Sequence, residues 1–110
     1  MDMEKPTLEA EALFAQEWEL KENTLLDELG GDFKLLKPRA WLIPNSLGHN
    51  VKRTAIQLAL EDIRIAKEGN VSEGIIIRMA QFGLERRAAT RNLWNRKEEN
   101  PISLADLGLE

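Results

Sequence analysis

The sequence predicts a mainly α-helical protein: an N-terminal amphipathic helix, then a short strand, then two central helices. Three observations predict it. Apolar residues recur at helical spacing over residues 7–29, 51–68 and 75–85. Breaks such as Gly30-Gly31 and Gly69-Asn70 separate those stretches. One short run, Arg39-Ala40-Trp41-Leu42-Ile43-Pro44, follows Pro38 and reads as a strand closed by its own proline.

The first helix starts at Pro6-Thr7. Leu8, Ala15 and Trp18 share a side, with Phe14 at its edge, and Leu25, Leu26 and Leu29 extend it. Glu9, Glu11, Glu17 and Glu22 keep much of the remainder wet. Asn23-Thr24 is expected to break the helix, with Thr24 capping a second piece that ends at Gly30-Gly31. After the strand, residues 45–50 form a loop that holds His49.

From Val51 to Glu68, Arg53, Thr54, Gln57, Glu61, Arg64 and Glu68 fall on one narrow arc at 100° per residue. The wide apolar remainder implies burial on two sides, with Asp62 turned inward towards a basic partner. Gly69-Asn70 stops this helix, and Ser72 caps the next. In that second helix only Arg78, Gln81 and Glu85 share a polar side. Such a helix belongs in a dimer core or at the centre of a monomeric bundle. Residues 86–97 continue it with five bases around Trp94, and Asn100-Pro101 ends the segment. A leucine-bearing tail follows, with Ser103 as a one-turn cap.

Composition bounds the chemistry. The 110 residues fit one domain with a modest core. The absence of cysteine excludes disulfides, thiolate metal sites and thiol nucleophiles, and a single histidine excludes histidine-rich metal sites. No run approaches the ~20 apolar residues of a membrane span, and no secretory signal is present, so a soluble, cytoplasmic chain is expected. Phosphate-loop, dinucleotide, nucleophile-elbow and paired zinc-ligand motifs are all missing. A non-enzyme without cofactor or metal follows.

Charge divides the chain into three. Residues 1–32 hold ten acids and two bases; residues 33–97 hold thirteen bases and five acids; residues 98–110 hold four acids and no base. An acidic helical segment, a basic core domain and an acidic tail are the expected divisions. The basic middle suits DNA or RNA, or the acidic ends simply complement it.

The piece Glu68-Gly69-Asn70-Val71-Ser72-Glu73-Gly74-Ile75-Ile76-Ile77-Arg78-Met79-Ala80-Gln81-Phe82-Gly83-Leu84-Glu85, behind a short strand and a helix, resembles the ribbon-helix-helix DNA-binding family over about residues 37–85. The resemblance implies a homodimer whose paired strands enter the major groove, with Val71 and Ser72 against a phosphate and Lys37 and Arg39 flanking the ribbon. The strand's Ala40, Trp41, Leu42 and Ile43 offer no group to read bases, so within such a fold the DNA role is either lost or moved to residues 86–97.

Two functions follow from this reading. The first is a small dimeric DNA-binding regulator. It contacts double-stranded DNA through Lys34, Lys37, Arg39, Lys52, Arg53, Val71, Ser72, Arg86, Arg87, Arg91, Arg96 and Lys97. Its acidic residues 1–32 compete for that surface. The second is a protein-binding adaptor, antitoxin-like inhibitor or assembly factor. It uses Leu8, Phe14, Trp18, Leu25, Leu29, Leu104 and Leu107. Exposure of Trp18 divides the two uses of the first helix.

Overall fold

The computed structural model describes residues 6–30, 51–95 and 100–110. Among them are three α-helices, α1 (Leu8–Leu29), α2 (Val51–Glu68) and α3 (Glu73–Leu93), and a 3-10 turn at Ala105–Leu107. Helix α3 lies between its neighbours: α1 packs on one part of it and α2 on another, and the 3-10 turn packs on α2.

Local chemistry sets the helix ends. Thr7 is extended and its hydroxyl accepts from the Ala10 amide at 3.0 Å, which satisfies one orphan donor of the first turn. Gly30 ends α1 at φ 65°, donating to the Leu26 carbonyl. The expected break at Asn23-Thr24 does not occur. The Thr24 hydroxyl donates back to the Leu20 carbonyl at 3.0 Å, so it is satisfied inside the helix and caps nothing. Asn70, not Gly69, takes the left-handed position after α2, with φ 63°. Val71 donates to the Ala66 carbonyl and Asn70 to that of Lys67, a Schellman closure. Ser72 then caps α3, its oxygen 3.4 Å from the Ile75 amide nitrogen.

The core is one apolar cluster drawn from all three charge segments. Trp18 and Leu25 of α1 join Ala55, Ala59, Ile63 and Ala66 of α2, Ile76, Met79, Ala80 and Phe82 of α3, and Ile102, Leu107 and Leu109 of the tail. Trp18 meets Phe82 edge-on at 5.4 Å and Phe14 at 6.0 Å. On α2 the predicted polar arc is exposed at every position. Its buried side is the narrow stripe of Ala55, Ala59, Ile63 and Ala66. Leu58 and Leu60, on the shoulders of that stripe, are left exposed. The buried arc of α2 is therefore narrower than expected, although both α3 and the 3-10 turn pack on it. Burial between two neighbours holds for α3.

The ribbon-helix-helix expectation is corrected. The described residues form helices and no strand; residues 39–44, where a strand was expected, lie outside them. The physical reason is that one chain covers α2 and α3 by itself. Trp18 and Leu25 arrive from α1, and Ile102, Leu107 and Leu109 from the tail. Ala59, Ala66, Ile76 and Ala80 are fully buried without a second chain. The mainly α class holds.

Candidate protein-interaction surface

Of the ten basic residues nominated for DNA, five lie outside the described residues, and four of the other five are buried or half-buried. Lys34, Lys37, Arg39, Arg96 and Lys97 lie outside the described residues, as does His49. Arg87 is only 1% exposed, near the middle of the buried side of α3. A guanidinium at such depth is costly unless it is engaged, and Arg87 is engaged within the chain. Arg86 and Arg91 are half-buried and engaged as well, Arg86 lying 5.8 Å from the Phe14 ring. The half-buried Lys52 donates to the Asn100 carbonyl. Val71 is half-buried, while Ser72 and Arg53 are exposed. The inward-phased Asp62 is half-buried and engaged.

The nominated partner-binding residues are mostly spent on folding. Trp18, Leu25 and Leu107 are buried, and Phe14, Leu29 and Leu104 are half-buried against the same cluster. Leu8, at 85% exposure, is the exception. The tail is a folded element. Ser103 and Asp106 cap each other reciprocally, at 2.9 and 3.3 Å, and Gly108 closes the turn at φ 70°.

Sequence reasoning missed Leu13 and Leu20. They are 59% and 68% exposed. At 100° per residue they fall within 20° of each other, on the side of α1 away from Trp18. Glu9, Gln16, Glu17 and Asp27 surround them, all exposed. The signal was present in the sequence: two leucines one heptad apart among acids, opposite the aromatic side. Leu20 also forms one wall of an open groove of about 430 Å³ between α1 and α3. Lys21, Thr24 and Glu28 continue that wall, Arg78, Phe82 and Glu85 form the other, and Trp18 and Leu25 contribute beneath.

Electrostatically α1 is lopsided. It carries Glu9, Glu11, Glu17, Glu19, Glu22, Asp27 and Glu28 against one base, Lys21. Lys21 pairs with Glu17 at 3.2 Å and lies 4.4 Å from the centre of the Trp18 ring. Arg78 on the facing wall pairs with Glu28 at 3.2 Å. Both pairs are more than half exposed and hold little energy, about 0–1 kcal/mol each. Each pair occupies an acid together with a base, and Lys21, Arg78 and Glu28 all line the groove.

No family model, curated protein or solved structure matches this chain. What the arrangement can do therefore rests on its own geometry. Among the described residues no three carboxylates or imidazoles gather as metal ligands, and no helix is long and apolar enough to cross a membrane.

Proposed function

We propose that this chain is a non-enzymatic protein-binding module, an adaptor or antitoxin-like inhibitor, that engages its partner through the acidic outer face of α1. The observation that carries this reading is the exposed pair Leu13 and Leu20 on a helix whose opposite side is committed to the core. An apolar stripe that folding does not use, bordered by charge of one sign, suits a partner helix with apolar and basic residues. Two copies meeting through this face would set acid against acid, so the partner is a different chain.

The DNA-regulator reading is the weaker one. It needs a basic surface, and Arg87 is buried while Arg86 and Arg91 are half-buried. The other nominated cations on the described helices, Lys52 and Arg53, both lie in the first turn of α2, and Lys52 is half-buried.

The test is affinity capture with the intact chain and with a Leu13→Ser/Leu20→Ser double variant of matched melting temperature. A partner retained by the wild type and lost by the variant supports the reading. A partner retained equally by both contradicts it. The same preparation is titrated against a labelled mixed-sequence duplex across a salt series. No binding is expected; affinity falling steeply with log salt would return the DNA reading to first place.

A further inference from the structure

We infer that the outer face of α1 receives one basic helix lengthwise, with Glu9 and Asp27 meeting bases towards its two ends and Leu13 and Leu20 meeting apolar side chains between them. This rests on the reading above and deepens it, by giving the partner segment its secondary structure, its length and its charge.

Three features fit that occupant. The first is the course of the face. Glu9, Leu13, Gln16, Leu20, Asn23 and Asp27 follow one another at alternating spacings of four and three residues. They therefore form one strip along the helix rather than a spiral around it. All six are exposed. The strip runs roughly 27 Å, or about five turns, on a helix held along its opposite side by Trp18 and Leu25. A partner helix laid along it at a shallow angle keeps the whole strip in reach. A loop, or a helix crossing steeply, touches only a turn or two. An extended strand has no sheet edge to join among the described residues.

The second feature is sign. Within about 60° of Leu20 around the helix axis lie Glu9, Glu17 and Asp27 and no base. Lys21, the sole base of α1, lies about 100° away and is paired with Glu17. Glu9 and Asp27 make no ion pair with any described base. The strip attracts a basic segment along its whole length and repels a second copy of itself.

The third feature is polarity. Gln16 and Asn23 separate and follow the two leucines. Covered by an unbroken apolar ridge, their amides would be left unpaired. The partner's apolar residues therefore fall seven apart, with hydrogen-bonding side chains between them. Polar positions of this kind fix the register of two helices at a cost in affinity.

The experiment uses the full-length, isotope-labelled chain and a capped synthetic helix of about 20 residues, long enough to span the strip. The peptide carries Leu at every seventh position, Gln midway between and Lys on both flanks. A second peptide has Glu in place of Lys. Amide shifts are followed during each titration. The expected result is perturbation of α1 from Glu9 through Asp27 by the Lys peptide. Binding of the Glu peptide should be at least about tenfold weaker. The double variant Glu9→Lys/Asp27→Lys should weaken the Lys peptide by about tenfold and strengthen the Glu peptide, while melting like the wild type. A merely structural role of the two acids would not reverse the preference.

Perturbation confined to one end of α1, centred on the groove at Arg78 and Phe82, or absent, overturns the assignment. Equal affinity for both peptides, or indifference to the charge reversal, does the same. Shifts of the same residues on raising the protein's own concentration without peptide would give the strip to a second copy, and overturn it too. The two levels fail separately. A captured partner that needs Leu13 and Leu20 but ignores Glu9→Lys/Asp27→Lys leaves the α1 reading standing and removes the basic helix. A partner that ignores Leu13 and Leu20 removes the reading itself.

Discussion

Trp18 and Leu20 are two positions apart on one helix and do opposite things. Trp18 is 5% exposed and wedged against Phe14 and Phe82, whereas Leu20 is 68% exposed. Truncating a buried tryptophan loses its transfer energy and leaves a cavity, so Trp18→Ala should cost about 3–5 kcal/mol. Leu20→Ser should change stability by less than about 0.5 kcal/mol. Chemical denaturation of the two variants checks both; equal losses would contradict the division of α1 into a folding side and a free side. Caps were the most legible features at this scale. Thr7, Ser72 and Ser103 each hold the amide that their position before an apolar run implied. Arg87 was not legible. In the sequence it is one of five bases near Trp94, and only the packing of α3 turns it inward, where a partner group accommodates it. Leu13 and Leu20 were readable but overlooked, because the aromatic side of the same helix dominates the pattern.

At the scale of elements, the helices of the described chain were legible because their periodicity is long and their stops are chemically marked. The continuity of α1 was not. Thr24 resembles a cap in the sequence, but its hydroxyl bonds back along the helix. Thr24→Ala should therefore be neutral within about 0.5 kcal/mol, since alanine is the better helix former. A loss near 1 kcal/mol on thermal unfolding would restore a capping role. The tail was also underestimated. A terminal segment is usually loose, yet Ile102, Leu107 and Leu109 close the core over α2. Each such burial is worth about 1.5–3 kcal/mol as an upper estimate. Removing residues 100–110 should lower the melting temperature sharply. An unchanged melting curve would show that α2 and α3 need no cover from the tail.

For the molecule as a whole, charge segregation divides the chain in three, while hydrophobic packing joins those parts into one core. Net charge bears on partners and solubility, not on which elements pack together. The strand-led dimer implied by the family resemblance required the apolar sides of α2 and α3 to be shared between chains. In the structure α1 and the tail take those places. The idea that residues 1–32 form a removable arm over a basic surface loses its footing for the same reason. Their deletion takes away Trp18 and Leu25, and the remainder should lose cooperative unfolding in circular dichroism rather than gain affinity for DNA. A fragment that still unfolds cooperatively would contradict this.

Native-state amide hydrogen exchange along α1 and α3 is the most direct test of the central claim, that α1 folds with its inner side and binds with its outer one. Amides around Trp18–Leu25 should open with the same free energy as those around Ile76–Thr90, as one cooperative unit. If α1 exchanged orders of magnitude faster while α3 stayed protected, α1 would be a detachable arm. Its aromatic side, rather than Leu13 and Leu20, would then be the surface offered to a partner.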